Sequence, residues 1–191
     1  MKNYLRISGV LGLIAAVCAL LISGMYLLTS KTIAANEAAL ELKTCQAIFS
    51  SYDDNMKEEI EVDSDKIVKK VLAKDSSGNE LGYLYTVSGA NSYGGITLMV
   101  AIDMDGKVVQ VEFLSNGQSF AGTVEEHVKK NYPSSSDDVI YIGIKPEAVE
   151  PVGSLTYDDV QKIDTVCGAT FGADLVKELV NAALNDANGG N

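Results

Sequence analysis

The sequence predicts an α+β protein, with a single N-terminal transmembrane helix followed by one extracytoplasmic domain of antiparallel strands and helices. Three observations carry this. Ile7 to Ser30 are 24 residues without a charge, rich in Leu, Ile, Val and Ala, and about 20 apolar residues at 1.5 Å rise cross the hydrocarbon core of a bilayer. Two pairs of strand-like runs flank the turn sequences Asp75-Ser76-Ser77-Gly78-Asn79 and Asp103-Met104-Asp105-Gly106. A C-terminal stretch sets Leu175, Val176, Leu179, Val180, Ala183 and Leu184 on one helical face.

The anchor comes first, over residues 1–31. Lys2 and Arg6 precede the apolar run, so the positive-inside rule leaves the N-terminus in the cytoplasm and the rest of the chain outside, although Lys31 works against that bias. A cleaved signal peptide is the rival reading, with Ala34-Ala35 as its site, but its apolar core is usually 7–15 residues and this one is longer. A lipoprotein anchor needs a small residue before its cysteine, and Val17 precedes Cys18. Cys18 reads as a small apolar side chain in the span.

An amphipathic stalk is expected over 32–55, because Ala35, Ala38, Ala39, Leu42, Cys45 and Phe49 recur at helical spacing to about Ser50. Residues 56–191, about 135 in number, suffice for one compact core. Ile67 to Ala73 with Glu80 to Ser88 form a first hairpin, and Gly95 to Ile102 with Lys107 to Leu114 a second. Phe120 to Tyr132 is helical, ending ahead of Pro133; Ser134 to Asp138 is a polar loop and Ile140 to Ile144 a short strand. Tyr157 to Ile163 reads as a helical turn before the last helix.

Charge and residue usage exclude several functions. All 26 acidic and 12 of the 15 basic residues follow Lys31, a balance of −14. Such a domain repels nucleic acid and anionic lipid head groups. Arg6 is the one arginine, so the domain lacks the bidentate donors that usually clamp phosphate reversibly. Cys45 and Cys167 are its cysteines and His127 its histidine, without a CxxC, an HExxH or a Cys/His cluster, which argues against zinc, iron–sulfur and haem sites. A Cys167–His127 nucleophile pair stays open beside the reading of His127 as a solvated residue in the charged run Glu125 to Lys130. A Cys45–Cys167 disulfide is allowed by an oxidising compartment but joins segments expected to lie far apart.

The chemistry concentrates in Asp164-Thr165-Val166-Cys167-Gly168-Ala169-Thr170. Thr170 places a hydroxyl where a loop of small residues becomes a helix, and helix N-termini favour anions, phosphates above all. Gly168 and Ala169 let a bulky phosphorylated group approach the backbone. Thr170 thus reads as the attachment point of a flavin phosphate; the plainer alternative makes it a helix N-cap. Tyr93-Gly94-Gly95 is by itself only a turn signal.

These segments resemble the G subunits of Rnf membrane complexes and, more distantly, the C subunits of sodium-translocating NADH:quinone reductases. Thr29 to Glu37 is similar to the stretch following that family's membrane helix, and Tyr93-Gly94-Gly95 with Ile102 to Lys107 to its glycine pair and acidic hairpin turn. Asp164 to Thr170 is similar to its flavinylation pattern, in which a flavin transferase joins FMN to the final hydroxyl by a phosphodiester bond. Cys167 stands where the family has Ser or Thr, and Phe171-Gly172 where further hydroxyls are often found. Gln118-Ser119-Phe120-Ala121 takes the place of the family's Glu-Thr-Pro-Gly, with Ser119 keeping comparable chemistry.

The resemblance implies an FMN-binding domain with covalent FMN on Thr170 and with Asp164, Cys167, Gly168, Ala169, Tyr93, Gly94, Gly95 and Ser119 around it. It implies an electron-relay subunit in a complex that couples ferredoxin:NAD electron transfer to sodium ion or proton translocation. Other membrane subunits, the lipid bilayer and a flavin transferase are then its partners. Two alternatives remain: a stand-alone membrane-anchored flavoprotein exporting electrons to extracellular acceptors, and a non-redox module whose motif is unmodified.

Overall fold

The computed structural model describes residues 2–134, 152–164 and 168–189. The expected strand at Ile140 to Ile144, the loop beyond Ser134, and Cys167 with its two suggested pairings lie outside the described residues. The chain divides into two compact units, Met1–Glu41 and Leu42–Asn191.

The first unit is the body of helix α1 (Lys2–Ile48). Its Ile7–Thr32 portion is 26 residues long, with no buried residue in its apolar window, and at 1.5 Å per residue it reaches about 39 Å, more than a bilayer's hydrocarbon core. Ile7, Leu11, Leu13, Leu20, Leu21 and Ile22 stand exposed, which suits lipid and not water. This is one candidate membrane helix, as in a single-pass protein.

The second unit begins with the last residues of α1 and continues through β1 (Glu58–Ile60), β2 (Ile67–Lys74), β3 (Glu80–Asn91), β4 (Gly94–Ile102), β5 (Val108–Asn116), α2 (Ala121–Asn131), α3 (Tyr157–Lys162) and α4 (Thr170–Ala187). The five strands form one antiparallel sheet in chain order. Its turns are built by aspartates. The Asp75 carboxylate accepts the backbone N–H groups of Ser77 and Asn79 at 2.8 and 2.9 Å, and Asp103 accepts those of Asp105 and Lys107 at 3.0 and 2.9 Å, each an Asx turn that reverses the chain. The two expected hairpins are joined by a third pairing: β3 and β4 run together from Tyr83↔Ile102 to Asn91↔Gly94.

Both faces of the sheet are covered, so β4 is buried on each side. Ile96, Leu98, Val100 and Ile102 share a core with α4, whose Leu175, Val176, Leu179, Val180, Ala183 and Leu184 are buried as the periodicity predicts. Met99 and Ala101 belong to the opposite cluster, with Val71, Leu84, Cys45 and Tyr52. Leu42, Cys45, Ile48 and Phe49, expected within a stalk, pack here instead, and the Cys45 Sγ lies 3.8 Å from the Met99 sulfur. The far end of α4 is moored by Asp186, which accepts the Tyr85 hydroxyl at 2.9 Å and pairs with Lys70 at 2.6 Å.

Two local features depart from the sequence reading. β1 is a charged edge strand, paired to β2 and supported by Lys74–Glu58 at 2.8 Å and Lys69–Glu59 at 3.5 Å; charge on an edge blocks pairing with other chains. His127, expected on a solvated surface, is buried on the inward face of α2 with Val124 and Val128. Its ring meets Tyr132 edge-on, with centroids 6.3 Å apart, and burial pushes its pKa below the ordinary imidazole value, with Asp174 opposing more weakly.

A folded-state pKa below the unfolded value means that the unfolded chain takes up the proton first as pH falls. His127 therefore stabilises the fold fully above its unfolded pKa of about 6.5 and loses that contribution as pH drops through it. The stability difference between the wild type and His127→Gln should shrink between about pH 8 and pH 5 in thermal melts.

Candidate functional site

Three connections converge at one end of the sheet: the Ser92-Tyr93 turn between β3 and β4, the segment 117–120 between β5 and α2, and the start of α4. They enclose a cavity of about 230 Å³ lined by Tyr93, Gln118, Phe120, Val124 and the run Gly168 to Gly172.

Gly94 permits the first approach. Its φ is +136°, and a side chain there would strike the Gly117 carbonyl. The close contact lets Gly117 N–H donate to the Gly95 carbonyl at 2.8 Å and Ser119 N–H to the Tyr93 carbonyl at 3.0 Å. The Ser119 hydroxyl adds a bond to the same Tyr93 carbonyl at 3.3 Å. Gly94, Gly95 and Ser119 thus brace the turn from behind, and Tyr93 faces the cavity.

The start of α4 closes the other side. Thr170 is its first residue and stands exposed, while Ala169, at the cap position, is buried. The alternative with Thr170 as N-cap is corrected accordingly: the helix begins at Thr170, one residue earlier than that reading required. Gly168 has φ +91° with open space where a side chain would stand. Tyr93 and Phe171 stack with centroids 5.3 Å apart and planes 24° from parallel, and Phe120 is the third exposed ring of the wall. No charged side chain lines the cavity among the described residues.

Of the residues singled out in the sequence, Tyr93, Gly168, Ala169 and Thr170 meet at the cavity. Asp164 is exposed beyond α3 and outside the lining. The sequence reading did not assign roles to Gln118, Phe120, Phe171 and Asn91. Asn91 Oδ1 accepts from Tyr93 N–H at 2.8 Å, and its Nδ2 donates to the Phe171 carbonyl at 2.9 Å, so one side chain ties the β3–β4 turn to α4. An amide at a strand end beside Tyr-Gly-Gly was its only local signal.

Residues 1–48 match the family described as the RnfG N-terminal region, and residues 92–185 match the FMN-binding domain. The chain belongs to the RnfG family. It is a flavin-carrying subunit of an Rnf complex, an oxidoreductase assembly with other subunits. The first match ends with α1 at Ile48, and the second encloses every residue lining the cavity. A comparison with curated proteins returned no match.

The RnfG chain's cavity depends on a missing side chain at Gly172, where a Cβ would run into Val124 of α2. Gly172→Ala should cost about 1–3 kcal/mol as an overpacked contact, read as a lowered denaturation midpoint. The Tyr93–Phe171 stack should also separate as α4 shifts, with a change in near-ultraviolet circular dichroism.

Proposed function

We propose that Thr170 carries FMN through a phosphodiester bond and that the cavity takes the flavin ring. The observation that supports this most is the placement of an exposed hydroxyl on the first residue of α4, at the lip of a cavity walled by Tyr93, Phe120 and Phe171. The residues fit the group. A volume of about 230 Å³ is just below the ~300–1,000 Å³ of whole small-molecule sites, so it suits a flat ring whose phosphate end stays outside. The helix N-terminus favours that phosphate, and the open space at Gly168 leaves room for it.

When bound, the flavin supplies one- and two-electron transfer. The chain's own residues orient it and exclude water: Thr170 fixes one end, Tyr93 and Phe171 offer aromatic faces, and Val124 with Ala169 forms the apolar floor. No general acid or base is needed for a relay. In this reading the complex couples ferredoxin:NAD electron transfer to movement of sodium ions or protons, and a flavin transferase matures the subunit. The span from Ile7 to Ser30 has no ionisable carboxylate, amine or imidazole, so ion passage belongs to the partner subunits.

Thr170→Ala removes the ester oxygen while keeping a good helix former, so stability should change by less than about 1 kcal/mol. The variant should reach the membrane without covalent FMN, and Thr170→Ser should keep some. Covalent FMN on Thr170→Ala in mass spectrometry would move the attachment to another hydroxyl.

The proposed topology places the flavin domain outside the cytoplasmic membrane, following Lys2 and Arg6. Protease added outside cells with a permeabilised outer envelope should then digest the chain beyond about residue 36. Full protection of the domain would reverse the orientation.

A further inference from the structure

Gln118 is 7 % exposed and its side chain lies on the cavity wall. Its Nε2 donates to the Gly94 carbonyl and to Asn91 Oδ1, the latter at 3.2 Å. The orientation is forced. Asn91 Oδ1 is already the acceptor of Tyr93 N–H, and Asn91 Nδ2 is the donor to Phe171, so turning the Gln118 amide would set oxygen against two oxygens. The outcome is a fixed Oε1 that accepts no hydrogen bond among the described residues. It lies 3.4 Å from where a side chain on Gly172 would begin, on the α4 side of the cavity.

An acceptor with no protein partner at the wall of an apolar cavity is left to water unless a ligand donor meets it. We propose that Gln118 Oε1 recognises the flavin ring by accepting a hydrogen bond from its imide N–H, with Asn91 as the positioning residue that holds the amide. This rests on the reading of the cavity as the flavin site. The ring is favoured over the sugar-alcohol chain because aromatic and small apolar residues dominate the lining, and the oxidised ring offers a single N–H. A charged carboxylate in this position would face the Gly94 carbonyl and Asn91 Oδ1, whereas the neutral amide satisfies both and still presents an acceptor.

The test uses the full-length Thr170→Ala chain in detergent micelles, with two probes followed by fluorescence: lumiflavin, the ring alone, and 3-methyllumiflavin, whose imide N–H is blocked. Lumiflavin should bind about fivefold more tightly, the ratio that one neutral hydrogen bond of ~1 kcal/mol gives. Adding Gln118→Leu should bring the ratio to about one, since no acceptor remains. A preference that survives in Gln118→Leu is steric and overturns the proposal, as does equal binding, or no binding, of the probes to the Thr170→Ala chain. Should the Leu variant fail to fold, Gln118→Glu at about pH 5 decides. Kept in the acid form beside two acceptor oxygens, its carboxyl donates to Gly94 and keeps one acceptor oxygen, so the preference must persist; its loss overturns the proposal. Absence of covalent FMN from the wild type, with the probe preference intact, would sink the tether and leave Gln118 in place.

Discussion

The packing of α4 across the sheet sets the position of everything at the cavity. Leu175, Val176, Leu179, Val180, Ala183 and Leu184 are buried against β3 and β4. At about 1.5–3 kcal/mol for each large apolar side chain, this is a major block of stabilisation in the domain. Asp186 holds the far end through Tyr85 and Lys70. With axis and far end fixed, the near end has little freedom, and the absence of a side chain at Gly172 lets it settle against Val124. Asn91 then joins that end to the β3–β4 turn. The Tyr93–Phe171 stack follows from a core contact more than a turn of helix away.

That rigidity explains why a tether suits this site better than a clamp. The chain beyond Lys31 contains no arginine and carries a balance of −14, and no charged side chain stands on the described cavity wall. A reversible phosphate site in such surroundings would lack its usual donors and face a repulsive field. A covalent bond at Thr170, as proposed, would remove the need for affinity: the ring would be held at high effective concentration beside its slot, and the slot would have only to orient it.

The sequence made the larger pattern legible because that pattern is local. A charge-free run, Asp-initiated turns and the i, i+3, i+4 face of α4 each depend on near neighbours, and each stands where it was expected. Non-local contacts were not legible. Helical spacing gave Leu42 to Phe49 an apolar face but did not say that the outer face of the sheet would cover it. The run Glu125 to Lys130 looked solvated because its charges outnumber its apolar groups, yet the face shared by Val124, His127 and Val128 turns inward. β1 is three residues long and mostly acidic, and exists through its pairing with β2. At the site, Thr170 with Gly168 and Ala169 could be read from a motif. Asn91 and Gln118 gain meaning only when segments 27 and 80 residues apart in sequence meet.

The contrast between the acidic surface and the neutral cavity separates two electrostatic roles. Net charge acts over a distance limited by salt, with a screening length of about 8 Å at physiological ionic strength. Carboxylates outside the lining therefore govern solubility and the sign of partners more than the electronic state of a ring inside. Within the cavity the dielectric is lower and fixed dipoles count for more. The dipoles present are amides held by Asn91, the backbone of the β3–β4 turn and the start of α4, all rigid through the packing of α4. A neutral acceptor at Gln118 can polarise a bound ring without adding a charge to it, so substitution on the acidic surface and substitution at the amide act on different properties. The first alters encounter with partners, and the second alters the ring.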